Sequence, residues 1–452
     1  MSHHDRIVNN VLEAVGQTPL IRLHRMTEGL NAEILVKYEA MNPGGSIKDR
    51  VAKRMIEKAI ENGDLKPGGT IIEATAGNTG AGLAQAAAVY GYRAIFVLPD
   101  KMSKEKVSLL QAYGAETVIT PTAVPPDSPE SYNGVAERLS REIPGAFRPA
   151  QFDNMENTAA HFEGTGPEIW EQTGGKLDIF VAGMGTGGTI SGTGAYLKKR
   201  DPKITVIGAD PEGSILSGDS PKSWKVEGIG EDFIPKNFNR QVVDEMIRVS
   251  DHESFQYARR LAREEGILTG GSGGTALAAA FRYAKRVTRP HRIVVVLPDT
   301  GRNYLSKCYD DDWMKQHGFW GDYVFPSRPI SEALTYQTLI TLSPEDDIET
   351  AFDLMQQYGI SQIPVIEDGR SVGSVNEMTL MWISFSREFT KGLQIRDIMA
   401  KPFPELDVET DIDEAYRILF SGHTAILVTK NWAPLQLLTR FDLISFREST
   451  LE

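Results

Sequence analysis

The sequence predicts an α/β protein in which a large unit of parallel sheets, covered by helices on both faces, is followed by a smaller duplicated module. Three observations predict it. Short runs rich in Ile and Val alternate with longer amphipathic segments as far as about residue 315. A chain of 452 residues exceeds what one ordinary core accommodates. A weak internal repeat then appears near the C-terminus.

Taken in order, Ile71–Ile72, Ala94–Leu98, Thr117–Ile119, Ile179–Ala182, Ile204–Ala209 and Ile293–Leu297 read as buried strands, each bounded by turn residues. Between them, Arg50–Asn62, Lys104–Tyr113 and Phe255–Glu265 carry helical spacing. Residues 121–130 (PTAVPPDSPE) are proline-rich and predict a loop. The character changes after Trp313, where residues 316–329 (QHGFWGDYVFPSRP) read as a linker that packs on something. Beyond it, LSPEDDIETAFDLM at 342–355 lines up with LDVETDIDEAYRIL at 406–419. Each copy has one apolar helical face and is followed by a short strand, Ile363–Ile366 or Ala425–Val428. These readings place a first unit at 1–315, a linker at 316–333 and the two copies at 334–392 and 393–452.

Composition narrows the function classes. The net charge is -13 with no basic block, which argues against a nucleic-acid partner. No apolar run approaches the roughly 18 residues of a membrane span, and MSHHDRIVNN lacks the apolar core of a signal peptide. Cys308 is the one cysteine, so internal disulfides and Cys-only metal sites are excluded and a packing thiol is expected. This usage fits a cytoplasmic protein. His3 and His4 read as part of a solvated terminus.

Four segments carry candidate chemistry. In Asn42-Pro43-Gly44-Gly45-Ser46-Ile47-Lys48, Pro and Gly break the preceding strand and Ser46 can cap the helix that follows. Lys48 then falls in the first turn, where the helix dipole disfavours a cation and favours the neutral amine that a Schiff base requires. On spacing alone, a solvent-facing lysine remains open. Thr75, Asn78 and Thr79 cluster at a strand–helix turn whose free N–H groups suit a carboxylate or phosphate. Gly183-Met184-Gly185-Thr186-Gly187-Gly188-Thr189 follows a strand and opens a helix, as a phosphate cradle does. Its Gly-x-Gly-x-x-Gly, with Asp210 at the end of the next strand, also permits a dinucleotide. A second glycine-rich turn, 270–275, surrounds Ser272.

Together these segments resemble the fold-type-II pyridoxal-phosphate enzymes, in particular the cysteine synthase/cystathionine β-synthase family. The resemblance covers about residues 7–315 and rests on GQTPLIRL, NPGGSIKDR, ATAGNTG, QFDN at 151–154, GTGGT, VEGIGEDFIP at 226–235, GGSGG and LPDTGRNYLSK at 297–307. It implies a tryptophan synthase β-like core of two parallel-sheet subdomains holding pyridoxal 5'-phosphate. By that resemblance Lys48 would carry the cofactor covalently and Asn78 would bond its ring hydroxyl. Gly185, Thr186, Gly187, Gly188 and Thr189 would hold its phosphate, and Ser272 would face the pyridine nitrogen. Thr75, Asn78, Thr79 and Gln151 would hold the substrate carboxylate. The family pattern has Ser where this chain has Ala76, and Glu231 stands where some relatives carry Tyr.

The implied activity is β-replacement, condensing serine with homocysteine to cystathionine through an aminoacrylate. The alternatives are O-acetylserine-dependent cysteine synthesis and serine dehydration. The C-terminal copies resemble a pair of CBS domains. Thr439 and Asp442 match the spacing by which such domains hold a ribose, while Asn376–Thr379 in the first copy departs from it. S-adenosylmethionine or an adenine nucleotide is the ligand this implies; a helix cap at Asp442 is the plain alternative. No haem is expected, since GQTPL starts at Gly16 and no cysteine precedes Cys308. The family implies a homodimer or higher homo-oligomer.

Overall fold

A computed structural model describes residues 7–320 except 76, 101, 103, 122, 123, 126 and 127, and residues 329–450 except 336, 337, 386–391 and 421. His3, His4, Ala76, residues 321–328 of the expected linker and four residues of the 121–130 loop lie outside the described residues. The chain divides into two compact units, Met1–Asp310 and Asp311–Glu452.

The first unit runs β1 (Leu20–Arg22), β2 (Ala32–Tyr38), α1 (Lys48–Asn62), β3 (Thr70–Ala74), α2 (Asn78–Tyr90), β4 (Arg93–Pro99), α3 (Lys104–Ala112), β5 (Glu116–Thr120), α4 (Tyr132–Glu142), β6 (Ala146–Phe147), α5 (Glu156–Ala160), a π-helical turn (His161–Thr165), α6 (Gly166–Gln172), β7 (Ile179–Gly183), α7 (Gly188–Arg200), β8 (Thr205–Pro211), β9 (Glu245–Val249), α8 (Asp251–Glu265), α9 (Gly271–Ala284) and β10 (His291–Leu297). One sheet has six strands in the order β1-β2-β10-β7-β8-β9, all parallel except the antiparallel edge β1. The other has four parallel strands, β5-β4-β3-β6.

The apolar runs are continuous because both faces of the large sheet are covered. Ile179 and Val181 enter one core with Ile34, Val36 and Val295, while Phe180 and Ala182 enter the other with Val206, Val294 and Val296. Each such side chain stabilises the fold by roughly 1.5–3 kcal/mol on burial. All six strands expected from sequence are present. Helix starts differ by a few residues. α8 begins at Asp251, capped by Ser250 accepting from Glu253 N, and its polar first turn conceals the start before Phe255. The short edge strands β1 and β6 carry too few apolar residues to announce themselves.

The topology positions the site. Within the six-stranded sheet the parallel strands β7 and β10 send their C-terminal ends the same way, and a hydrogen bond from Asn78 to Asp299 brings the loop after β3 of the other sheet against the loop after β10. The loops after β3 and β7 open helices, α2 and α7.

The second unit contains α10 (Asp311–Gln316), α11 (Ile348–Tyr358), β11 (Gln362–Glu367), β12 (Arg370–Asn376), α12 (Glu377–Phe385), β13 (Glu405–Asp407), α13 (Ile412–Phe420), β14 (Ala425–Lys430), β15 (Ala433–Thr439) and α14 (Arg440–Thr450). Each copy is completed from outside its expected bounds: the end of the expected linker with Leu334 enters the second copy, and the start of the second enters the first. Ile330, Ala333 and Leu334 pack among Ile412, Ala415 and Leu438 of the second copy, where Ile330 N donates to Thr410 O at 2.9 Å. Reciprocally, Ile395 packs with Ile348, Ala351 and Val375 of the first copy, and its N–H donates to Asp346 O at 2.9 Å. These contacts cross the boundaries read from sequence at 333/334 and 392/393. Among the described residues no helix is long and apolar enough to cross a membrane.

Candidate active site

The lysine loop is anchored from below by a buried ionic network. Lys37, fully buried, donates to Thr18 O at 2.6 Å, Glu168 Oε2 at 2.7 Å and Gln172 Oε1 at 2.9 Å. Arg50 grips Glu39 at 2.7 and 2.9 Å and Glu168 at 2.6 and 2.7 Å. Burial alone would push the Glu168 carboxyl up, but the hydrogen bonds and charge of Arg50, with Lys37, hold it down at about 2. Glu39 also accepts from Asn42 Nδ2 at 2.8 Å, and Asn42 Oδ1 accepts from Gly16 N at 2.8 Å. The loop base is thereby fixed before the chain turns at Gly45, whose φ of +80° suits glycine. Ile47 N then donates to Pro298 O at 2.7 Å, tying the loop to the end of β10.

Lys48 is the first residue of α1, and its N–H donates to Ser46 Oγ at 3.2 Å; the residue directly before the helix is Ile47, with no side-chain cap, so the serine expected to cap the helix stands one position too early. Its amine makes no hydrogen bond or ion pair among the described residues. Burial lowers its pKa, while the nearby charges of Glu231 and Asp299 pull it partly back up. The balance shifts the amine toward its neutral form.

Lys48 lines a pocket together with Gly183, Gly185, Thr186, Gly187, Thr189 and Ile229. Here the backbone must come close. A Cβ on Gly185 would sit 2.7 Å from Gly228 O, and one on Gly187, at φ +83°, would sit 2.6 Å from Phe238 Cα. Gly188, the first residue of α7, is buried against Asn157, whose Nδ2 donates to Thr186 Oγ1 at 3.1 Å. Thr189 Oγ1 lies 3.2 Å from Nε2 of His161, and that histidine's Nδ1 lies 3.0 Å from Thr165 Oγ1. Burial, with Lys48 and Arg50 nearby, holds His161 neutral. Open N–H groups at the start of α7, two hydroxyls and a free amine form a donor set that fits a phosphate-bearing aldehyde cofactor.

The remaining predicted residues stand on adjoining loops. Thr75 follows β3, and Asn78 and Thr79 open α2. Thr79 Oγ1 donates to Gln151 Oε1 at 2.6 Å, so two of the predicted substrate residues are in direct contact. Asn78 Nδ2 donates to Asp299 Oδ2 at 2.8 Å, and Asp299 accepts from Tyr304 at 2.6 Å as well. Ser272 is buried in the first turn of α9, and its hydroxyl has no hydrogen-bond partner among the described residues.

Sequence reasoning missed Asp299 and left Glu231 undecided. Asp299 is buried, which raises its pKa against the hydrogen bonds from Tyr304 and Asn78. Its signal was an acid directly after a buried strand, in Leu297-Pro298-Asp299. Glu231 is half-buried and unpaired among the described residues. Burial first, then the Asp232 charge, push its pKa up to about 7, with Lys48 opposing. Asp210, the acid that permitted a dinucleotide, is fully buried and accepts from Ser217 N at 3.0 Å, so it presents no open carboxylate.

In the second unit, Asp442 Oδ2 accepts from Thr439 N at 2.7 Å and from its hydroxyl at 2.6 Å, closing the start of α14. At the start of α12 the sense is reversed: Asn376 Oδ1, ahead of the helix, accepts from Thr379 N at 2.9 Å. Cys308 is buried, and burial pushes its thiol up to about 12.

Fold and pocket define a pyridoxal-phosphate-dependent enzyme, and the family model of that description matches residues 11–299, with CBS-domain models at 323–383 and 395–449. The chain is 40% identical to a cystathionine β-synthase of Dictyostelium discoideum over 97% of its own length and 92% of the relative's. It is 42% identical to the Mus musculus cystathionine β-synthase, over 94% and 78%. Among solved structures, the O-acetylserine-dependent cystathionine β-synthase from Helicobacter pylori superimposes with a TM-score of 0.63 at 39% identity, covering 67% of this chain and 98% of that one. The chain belongs to the cystathionine β-synthase family.

Proposed function

We propose that the protein condenses L-serine with L-homocysteine, releasing water and L-cystathionine. The observation that carries this reading is the unpaired Lys48 amine beside a glycine-lined anion cradle, in a chain matched over nearly its whole length by cystathionine β-synthases.

Pyridoxal phosphate, when bound, supplies an electron sink that labilises the substrate's α-proton and β-substituent. Lys48 would hold it covalently. The N–H groups of Gly185, Gly187 and Gly188 and the hydroxyls of Thr186 and Thr189 would bind its phosphate. Asn78 and Ser272 would face the ring hydroxyl and ring nitrogen. A neutral serine hydroxyl there, in place of a carboxylate, favours elimination over prolonged carbanion storage. Thr75, Asn78, Thr79 and Gln151 would orient the substrate carboxylate. Lys48 Nζ, when free, would take the substrate's α-proton and pass it to the departing β-oxygen. The homocysteine thiol would then add at the β-carbon, and Lys48 would carry the proton given up by the thiol to the α-carbon.

The C-terminal pair would take S-adenosylmethionine or an adenine nucleotide at Thr439 and Asp442, a reading that calorimetry with either ligand tests. The protein would act in the cytoplasm as a homodimer or higher homo-oligomer. It would work without haem, since its one thiol, Cys308, is buried and strongly protonated. The decisive experiment presents the pyridoxal-phosphate-loaded protein with serine or O-acetylserine, each with homocysteine or sulfide, and identifies products by mass spectrometry. Cystathionine from serine and homocysteine as the dominant product supports the reading. Cysteine formed only from O-acetylserine and sulfide would replace it with cysteine synthesis.

A further inference from the structure

One acid that the sequence did not single out sits where three parts of the candidate site meet. Asp299 follows β10 and is 2% exposed. Its main chain is paired to the lysine loop. Ser46 and Asp299 form an isolated antiparallel bridge, flanked by Ile47 N donating to Pro298 O at 2.7 Å and Thr300 N donating to Gly45 O at 3.0 Å. Pro298 lines the same pocket as Lys48. The segment before α9 is tied in as well, because Thr269 Oγ1 donates to Asp299 O at 3.2 Å. Gly270 comes next, directly before the helix that carries Ser272. A Cβ on Gly270 would stand 2.4 Å from Asp299 Oδ1 and 2.7 Å from Tyr304 Cε2, so only glycine lets this helix start so close to the acid.

The side chain reaches the third part. Asp299 Oδ2 accepts from Asn78 Nδ2 at 2.8 Å and from the Tyr304 hydroxyl at 2.6 Å, while Oδ1 has no hydrogen-bond partner among the described residues. Asn78 opens α2, which follows β3 of the four-stranded sheet, whereas Asp299 follows β10 of the six-stranded one. The bond therefore joins the segments emerging from the two sheets. Asn78 is free for it: α2 has no side-chain cap, and the Asn78 amide makes no other hydrogen bond among the described residues.

This contact assigns the ends of the Asn78 amide. An accepting oxygen faces the NH2 end, because the flipped amide would set two acceptors against each other. One N–H of Nδ2 is thereby taken up by Asp299. The other, on the same nitrogen and in the same amide plane, stays available as a donor with its direction fixed. Without the acid, the amide could turn about its last bond and face a ligand with either end.

We propose that Asp299 is a positioning residue for the cofactor's ring: it fixes the Asn78 amide so that the second N–H is presented to the ring hydroxyl oxygen. The inference rests on the assignment of Asn78 to that oxygen. A donor held there stabilises the ring form with negative charge on the oxygen, which gives the visible band, over the uncharged form that absorbs in the near ultraviolet.

The test is absorbance spectroscopy and cofactor titration of the full chain with pyridoxal phosphate, for Asp299→Leu, Asn78→Ala and the double variant. Leu keeps the branch at Cγ and removes both acceptor oxygens. Asp299→Leu is expected to lower the ratio of the visible to the near-ultraviolet band about 3-fold and to raise the Kd for pyridoxal phosphate about 10-fold. Asn78→Ala does at least as much, and the double variant matches Asn78→Ala alone, because Asp299 acts through Asn78. Asp299→Asn keeps one acceptor oxygen and restores most of the ratio. Should Asp299→Leu not fold, Asp299→Ala, where a water has room to serve Tyr304, is expected to lower the ratio about 2-fold. An unchanged ratio in whichever of the two folds, a weaker affinity with the ratio intact, or effects that multiply in the double variant would overturn the positioning role. An unchanged ratio in Asn78→Ala would remove the ring-hydroxyl assignment, and the inference with it. The lack of any visible band in the loaded wild-type protein would instead strike down the cofactor reading itself.

Discussion

Two groups of charged residues around α1 are built in opposite ways. In one, Lys37, Glu39, Arg50 and Glu168 saturate one another with charge-assisted hydrogen bonds of 2.6–2.9 Å. In the other, the Lys48 amine, the Glu231 carboxylate and one oxygen each of Asp49 and Asp299 have no hydrogen-bond partner among the described residues. Both clusters carry the desolvation cost of burying charge. The first recovers it internally and is a scaffold. The second does not, and its groups are held with shifted protonation, ready to bond to something else. A saturated cluster beside an unsaturated one is how this fold separates stability from chemistry.

Four substitutions break or sharpen that contrast. Lys48→Ala has the largest effect expected: loss of about 10³-fold or more in activity and of the covalent cofactor band. In the cofactor-free enzyme it leaves stability within about 1 kcal/mol of wild type, because no partner is stranded. Arg50→Gln does the reverse. It strands Glu39 and Glu168 and lowers the denaturant-measured stability by about 3–5 kcal/mol.

Asp49→Asn tests the intermediate case. Asp49 Oδ2 accepts from Gly44 N at 2.5 Å while Oδ1 is orphaned, and burial, assisted by Glu39, pushes its pKa up to about 7. Since the folded value lies above the unfolded one, its contribution is full below about pH 4 and is lost as pH rises through about 7. The variant should flatten that part of the stability–pH profile, and at pH 8 it should exceed wild type by on the order of 2–4 kcal/mol. Glu231→Gln has the smallest effect. Its charge raises the Lys48 pKa, so its removal should move the pH limb for cofactor reloading, which needs a neutral amine, down by about 0.5–1 unit. The rate of reloading followed by absorbance across pH checks it.

The parts of this site visible in the sequence were those that lie within one turn of chain. Ser46 and Lys48 lie two positions apart, and the cradle from Gly183 to Thr189 is one loop, so local rules of turns and glycine use reach them. The ribose-type pair Thr439 and Asp442 also lies within one helical turn, and in the structure its atoms bond to each other. What stayed hidden needs long-range closure. Asn78 and Asp299 are 221 residues apart and Arg50 and Glu168 are 118 apart. The strands were legible because burial on both faces makes continuous Ile and Val runs. The packing that puts Ile330 in the second C-terminal copy and Ile395 in the first leaves no periodic mark, because each is a single apolar residue beside a repeat that looks self-contained.

The claim that the unpaired amine is the cofactor's anchor is tested most directly by borohydride reduction of the loaded enzyme, followed by proteolysis and mass spectrometry of the labelled peptide. The account predicts a pyridoxyl adduct on Lys48 and on no other lysine. An adduct on Lys106 or Lys307, which reach toward the same region through their ion pairs with Glu227, with Lys48 unmodified, would contradict it.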